Sequence, residues 1–72
     1  MNPKIYLNSR AIRAVQYESQ TGKLLIWFPG RGPYTYVGVP ASVYQGLIHA
    51  FSAGKFHAAN IAGKYQRNYQ AS

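Results

Sequence analysis

Cysteine and aspartate are absent from this 72-residue chain, and its one acidic residue is Glu18. Without cysteine there is no disulfide, no thiolate nucleophile and no thiolate-held metal. One carboxylate cannot supply the acid–base pair of a glycoside hydrolase. The missing aspartate removes the orienting member of a Ser-His-Asp triad, and no G-x-S-x-G elbow is present. His49 and His57 with Glu18 make a thin ligand set for a metal ion. Ser9 and Ser52 therefore read as caps or turn formers, and the two histidines as ordinary surface or capping residues.

Long apolar runs are missing too. The longest, Leu24 to Phe28, is far short of the roughly 20 residues of a membrane span. Residues 1–20 hold no apolar core followed by a cleavage site. The best amphipathic stretch, Val43 to Phe51, carries no Lys or Arg, which argues against a membrane-surface helix. These absences set the expectation of a cytoplasmic, non-catalytic chain with no cofactor, no metal and no membrane partner, and a monomer is expected beside them.

What the sequence does have is positive charge. Eight Lys and Arg residues against one acid give a net charge of +7 and a pI near 10.1. The cations are scattered, with no run of five, so they do not form a localisation-type cluster. Solvated charge of this size can simply keep a small domain soluble. Charge with so little internal pairing also attracts phosphates or an acidic protein surface, and that reading is favoured here.

The apolar fraction, 47%, suits one small globular domain. Residues 1–10 read as an extended lead-in, 11–65 as the domain, and 66–72 as a flexible tail. Ile12–Glu18 favours a strand, and Gly22 suits a turn with positive φ. The apolar run in Lys23–Phe28 reads as a buried strand. Pro29-Gly30-Arg31-Gly32-Pro33 reads as a turn, and Tyr34–Val39 as a third strand. Short connections make these three an antiparallel meander.

After Pro40 the period changes. Val43, Tyr44, Leu47, Ile48 and Phe51 fall on one helical face, and Gly54 is placed to end that helix in the left-handed conformation. A second helix is expected over Phe56–Ala62, ended by Gly63. The fold class is α+β, a three-stranded meander followed by two helices (β-β-β-α-α), with the first helix packed on the sheet.

Four stretches resemble one family. Asn8-Ser9-Arg10-Ala11-Ile12-Arg13-Ala14-Val15-Gln16-Tyr17 is similar to the opening of the KTSC domain family. Tyr34-Thr35-Tyr36 resembles its central Y-x-Y, and Val39-Pro40-Ala41-Ser42-Val43-Tyr44 its V-P-x-x-V-Y. Ser52, Gly54, Phe56, Ile61 and Tyr65 match its S-x-G-x-F…I…Y tail. The resemblance covers roughly residues 8 to 65. The family is named for a segment at the C-terminus of some lysyl-tRNA synthetases and also occurs as stand-alone bacterial and phage proteins. It implies the fold above and an association with RNA.

The expected function is a nucleic-acid-binding module, RNA favoured over DNA. Arg10, Arg13, Arg31, Lys55, Lys64 and Arg67 are the candidate phosphate contacts, and Tyr34 and Tyr36 the candidate stacking rings. A fold that gathered Arg10, Arg13, Lys55, Lys64 and Arg67 on one side would make a continuous basic face. Packing beneath the first helix is the competing role for the two tyrosines, and at least one of Trp27 and Phe28 is expected in the core. The alternative function is a phage-type or bacterial regulator whose basic face docks on an acidic protein surface such as bacterial RNA polymerase.

Overall fold

A computed structural model describes residues 3–69. One antiparallel sheet is built from β1 (Ile5–Tyr6), β2 (Ala14–Glu18), β3 (Lys23–Phe28), β4 (Arg31–Tyr36) and β5 (Arg67–Tyr69), in that spatial order. Two helices, α1 (Ala41–Ile48) and α2 (Ala53–Asn60), fall between β4 and β5. The fold is therefore α+β, an antiparallel sheet followed by two helices. The expected strand number is corrected, because four strands precede the helices and a fifth returns after them.

Both additional strands are too short to show as sequence patterns. β1 has two residues, paired as Ile5↔Val15 and Tyr6↔Ala14, and the Leu7 N–H continues the ladder to the Arg13 carbonyl at 2.9 Å. β5 pairs along β4 as Tyr34↔Tyr69, Thr35↔Asn68 and Tyr36↔Arg67. Backbone pairing with a preformed edge holds both segments, so side-chain periodicity has little to report. Residues 67–69 of the expected tail are strand, and residues 70–72 lie outside the described part.

The breaker cluster is tighter than expected. Gly30, at φ 73°, lets the chain reverse at Pro29-Gly30, so β4 begins at Arg31 and ends at Tyr36 rather than running from 34 to 39. A register shift near Ile26 to Phe28 absorbs the mismatch. Gly22, at φ 74°, makes the expected turn between β2 and β3.

The helices share one core with the sheet. Ile12, Val15, Tyr17, Leu24, Ile26, Tyr36, Val39, Tyr44, Leu47 and Ile61 are all buried. The rings of Tyr17 and Tyr44 stack at 4.7 Å and 12°, which fixes α1 against β2. The Tyr17 hydroxyl donates to the Val39 carbonyl at 2.6 Å.

Helix boundaries differ from the sequence reading. α1 stops at Ile48, so Phe51 lies beyond it and is fully exposed. Ser52 caps α2, its hydroxyl accepting from the Lys55 N–H at 3.3 Å. That cap starts α2 three residues before Phe56 and places Gly54 in its first turn, not at the end of α1. Ser9 accepts from the Ala11 N–H at 3.1 Å, the turn-forming role expected for it.

Candidate nucleic-acid interface

Strand alternation divides the sheet into two faces. Val15, Tyr17, Leu24, Ile26 and Tyr36 share one face through the pairs Val15↔Ile26, Tyr17↔Leu24 and Leu24↔Tyr36. Both helices pack there, α1 through Tyr44 on Tyr17 and α2 through His57 on Tyr36. Tyr6, Ala14, Gln16, Leu25, Trp27 and Thr35 belong to the opposite face. Among the described residues no helix covers it.

One cross-strand row on that open face is made of Tyr6, Ala14 and Trp27, joined by Tyr6↔Ala14 and Ala14↔Trp27. The small central residue leaves a shallow floor between two rings. Tyr6 is 74% exposed and Trp27 is half-buried. The Lys4 ammonium lies 4.1 Å from the Trp27 ring centroid and 5.1 Å from that of Tyr6, within cation–π range of both. Arg13, Phe28, Gly30, Arg31 and Gly32 complete a depression of about 360 Å³.

The backbone holds this arrangement. The Arg13 N–H donates to the Trp27 carbonyl at 2.8 Å, while the Arg13 carbonyl accepts from Leu7. Lys4 and Tyr6 are thereby tied through β2 to Trp27. No acidic residue lines the depression. Glu18 is engaged elsewhere, accepting from the Thr21 hydroxyl at 2.6 Å. The arrangement offers an indole and a phenol beneath Lys4, with Arg13 and Arg31 also lining the depression, a combination suited to phosphates and unpaired bases.

Of the expected site residues, Arg13 and Arg31 meet in this depression. Tyr34 lies on the helix-covered side of the sheet, half-buried against the Phe28 ring at 5.3 Å. The Arg67 guanidinium sits 4.7 Å from the Tyr34 centroid and that of Arg31 6.0 Å away. Tyr36 is a correction. It is 1% exposed and joined to His57 Nε2 by a 2.9 Å hydrogen bond, so it is a core residue, unavailable for stacking.

The remaining basic residues are not gathered on one side. Arg10 borders a hollow beside the α1–α2 connection, Lys55 a second one along α2, and Arg67 a third with Tyr65. Lys64 is exposed in the turn after α2. Arg10 and Lys55 border adjoining hollows that share Phe51, whereas Arg67 lies over Tyr34 and Arg13 lines the open-face depression, so these cations do not make one continuous face.

His57 also departs from expectation. Its ring packs edge-on against Phe28 at 5.3 Å and Tyr36 at 5.7 Å. Burial lowers its pKa below the usual 6.5, and the nearby Arg67 charge lowers it further. His49 keeps its expected capping role, its Nδ1–H donating to the Gln45 carbonyl at 3.0 Å at the end of α1.

Sequence reasoning missed Lys4, Tyr6 and Trp27 as one constellation. The signal was present in Lys23–Phe28, where alternation sets Leu25 and Trp27 opposite Leu24 and Ile26. Apolar residues on both faces, Leu25 and Trp27 as well as Leu24 and Ile26, masked it. Among the described residues no group of three or more His, Cys, Asp or Glu could hold a metal, and no helix is long and apolar enough to cross a membrane.

Comparison with known proteins agrees with this architecture. The model of the KTSC domain family matches residues 8–65. The crystal structure of a KTSC domain protein from Yersinia pestis is 29% identical in sequence and superposes with a TM-score of 0.92, covering 96% of this chain and 97% of that one. A search of curated proteins returned no match.

Proposed function

The chain belongs to the KTSC domain family, and from that premise we propose that it is a non-catalytic module for single-stranded nucleic acid, RNA favoured over DNA. The observation that carries the proposal is Lys4 set over Trp27 and Tyr6 on a sheet face that no helix covers among the described residues, with Arg13 and Arg31 lining the same depression. Cations of this kind attract phosphates, and each phosphate contact releases counterions. Ring faces add about 1–3 kcal/mol per stacked base without demanding a sequence. Single strands are the suited form, since a duplex keeps its base faces stacked internally. The preference for RNA rests on the family's association with lysyl-tRNA synthetases.

The test is anisotropy of a labelled single-stranded RNA against salt, repeated with single-stranded DNA and duplex RNA. If Lys4, Arg13 and Arg31 each neutralise one phosphate, log K should fall with log salt at a slope of magnitude about 2. Duplex RNA should bind more weakly, and single-stranded DNA less tightly than RNA. Absence of binding at low salt overturns the reading. Capture of RNA polymerase that survives nuclease treatment but is lost in Lys4→Gln would instead support docking of the same basic surface on an acidic protein.

A further inference from the structure

Phe51 is fully exposed at the connection between α1 and α2. Burying such a ring is worth roughly 2 kcal/mol, and among the described residues Phe51 and Tyr6 are the large apolar side chains left exposed. Two hollows meet at this ring. One, of about 620 Å³, runs along α2 past Gly46, Phe56 and Ala59, with Lys55 on its rim. The other, of about 370 Å³, lies between the α1 end and Leu7, with Arg10 on its rim.

The groove is built into the packing of the two helices. A Cβ on Gly46 would meet the Phe56 ring at 2.6 Å. Glycine at this position lets the ring lie against α1 and form the groove's apolar floor.

Charge selects the occupant. Both hollows carry a cation and neither is lined by an acid. A second copy of this chain would bring its own Arg10 and Lys55 and a further net charge of +7, so self-association through this surface is opposed by like charge. We propose that Phe51 and its two flanking hollows form a docking site for a short acidic, apolar segment of another protein. The segment would place an apolar side chain on either side of Phe51 and carboxylates toward Lys55 and Arg10. The site lies on the helix side of the molecule and leaves the open sheet face free, so it does not depend on nucleic-acid binding.

Panning a phage-displayed library of short random peptides on the intact chain tests this directly. Enriched peptides should combine Asp or Glu with Leu, Phe or Trp. They should bind Phe51→Ser and Lys55→Glu about tenfold more weakly or worse, with thermal stability of Phe51→Ser unchanged. The proposal is overturned by a failure to enrich, by enrichment of peptides lacking acids, or by equal binding to Phe51→Ser. It is also overturned if single-stranded RNA competes for the groove, or if sedimentation shows the chain dimerising through Phe51.

Discussion

The Lys4 ammonium lies 4.1 Å from the centroid of the Trp27 ring, joining the N-terminal strand to the open face of the sheet. A base that stacks on Trp27 must share that ring with Lys4 or displace the ammonium toward a phosphate. The second outcome turns an internal cation–π contact into an ion contact with the ligand. Lys4→Gln is expected to reduce the salt slope for single-stranded RNA by about 0.7, the contribution of one phosphate. An unchanged slope would remove Lys4 from the interface. Titration against salt measures it.

Tyr36 and His57 answer a different question. Their 2.9 Å hydrogen bond at the sheet–α2 junction is structural. Tyr36→Phe keeps the ring and removes the hydroxyl, leaving His57 Nε2 without that partner. The expected loss is about 1 kcal/mol of stability, with RNA affinity unchanged. Chemical denaturation and anisotropy on the same variant separate the two effects.

Stability should depend on pH through His57. Its folded pKa is lowered, first by burial and then by Arg67, so the unfolded chain takes up the proton first. The His57 contribution is complete above the unfolded value of 6.5. It is lost as pH falls from there toward the lowered folded value, and does not change further below it. Melting temperatures across this range should decline for the parent chain and flatten for His57→Gln, which keeps an acceptor for Tyr36.

Gly30 and Gly32 both have positive φ, at 73° and 115°, but their surroundings differ. A Cβ on Gly32 would sit 3.0 Å from the Ile26 carbonyl oxygen and 3.0 Å from the Trp27 Cα, whereas a Cβ on Gly30 meets nothing within 4 Å. Gly30→Ala is expected to cost about 1 kcal/mol, the left-handed penalty alone. Gly32→Ala adds a backbone clash and should reach about 2–3 kcal/mol. Paired denaturation curves check the order. Because Gly32 adjoins Trp27, its variant should also weaken RNA binding.

Much of the fold was legible in the residues. Val15 and Tyr17, the apolar run in Lys23–Phe28, and the change of period after Pro40 each identify a strand or a helix by side-chain pattern alone. The edge strands were not legible, because Ile5–Tyr6 and Arg67–Tyr69 are held by backbone pairing to neighbours remote in sequence. Phe51 misled for a related reason. Its spacing from Leu47 and Ile48 suits a helix, but nothing in that spacing shows where α1 stops.

The candidate site was legible only in part. Arg13 and Arg31 could be named as cations, but the Arg13–Trp27 backbone bond and the fold that brings both to one depression with Trp27 are tertiary facts. Tyr34 and Tyr36 drew attention by alternating, and that alternation turned their rings toward the helices. The candidate face is the one that the same alternation leaves to Thr35 and Trp27.

The most direct test of the open-face interface follows amide and indole N–H signals by NMR as single-stranded RNA is added. The largest shifts should fall on the sole tryptophan, Trp27, and on Tyr6, Arg13, Gly30 and Arg31, with the α1 and α2 amides nearly still. Shifts concentrated on the helices, or a Trp27 indole signal that does not move at saturation, would contradict the assignment of the open sheet face.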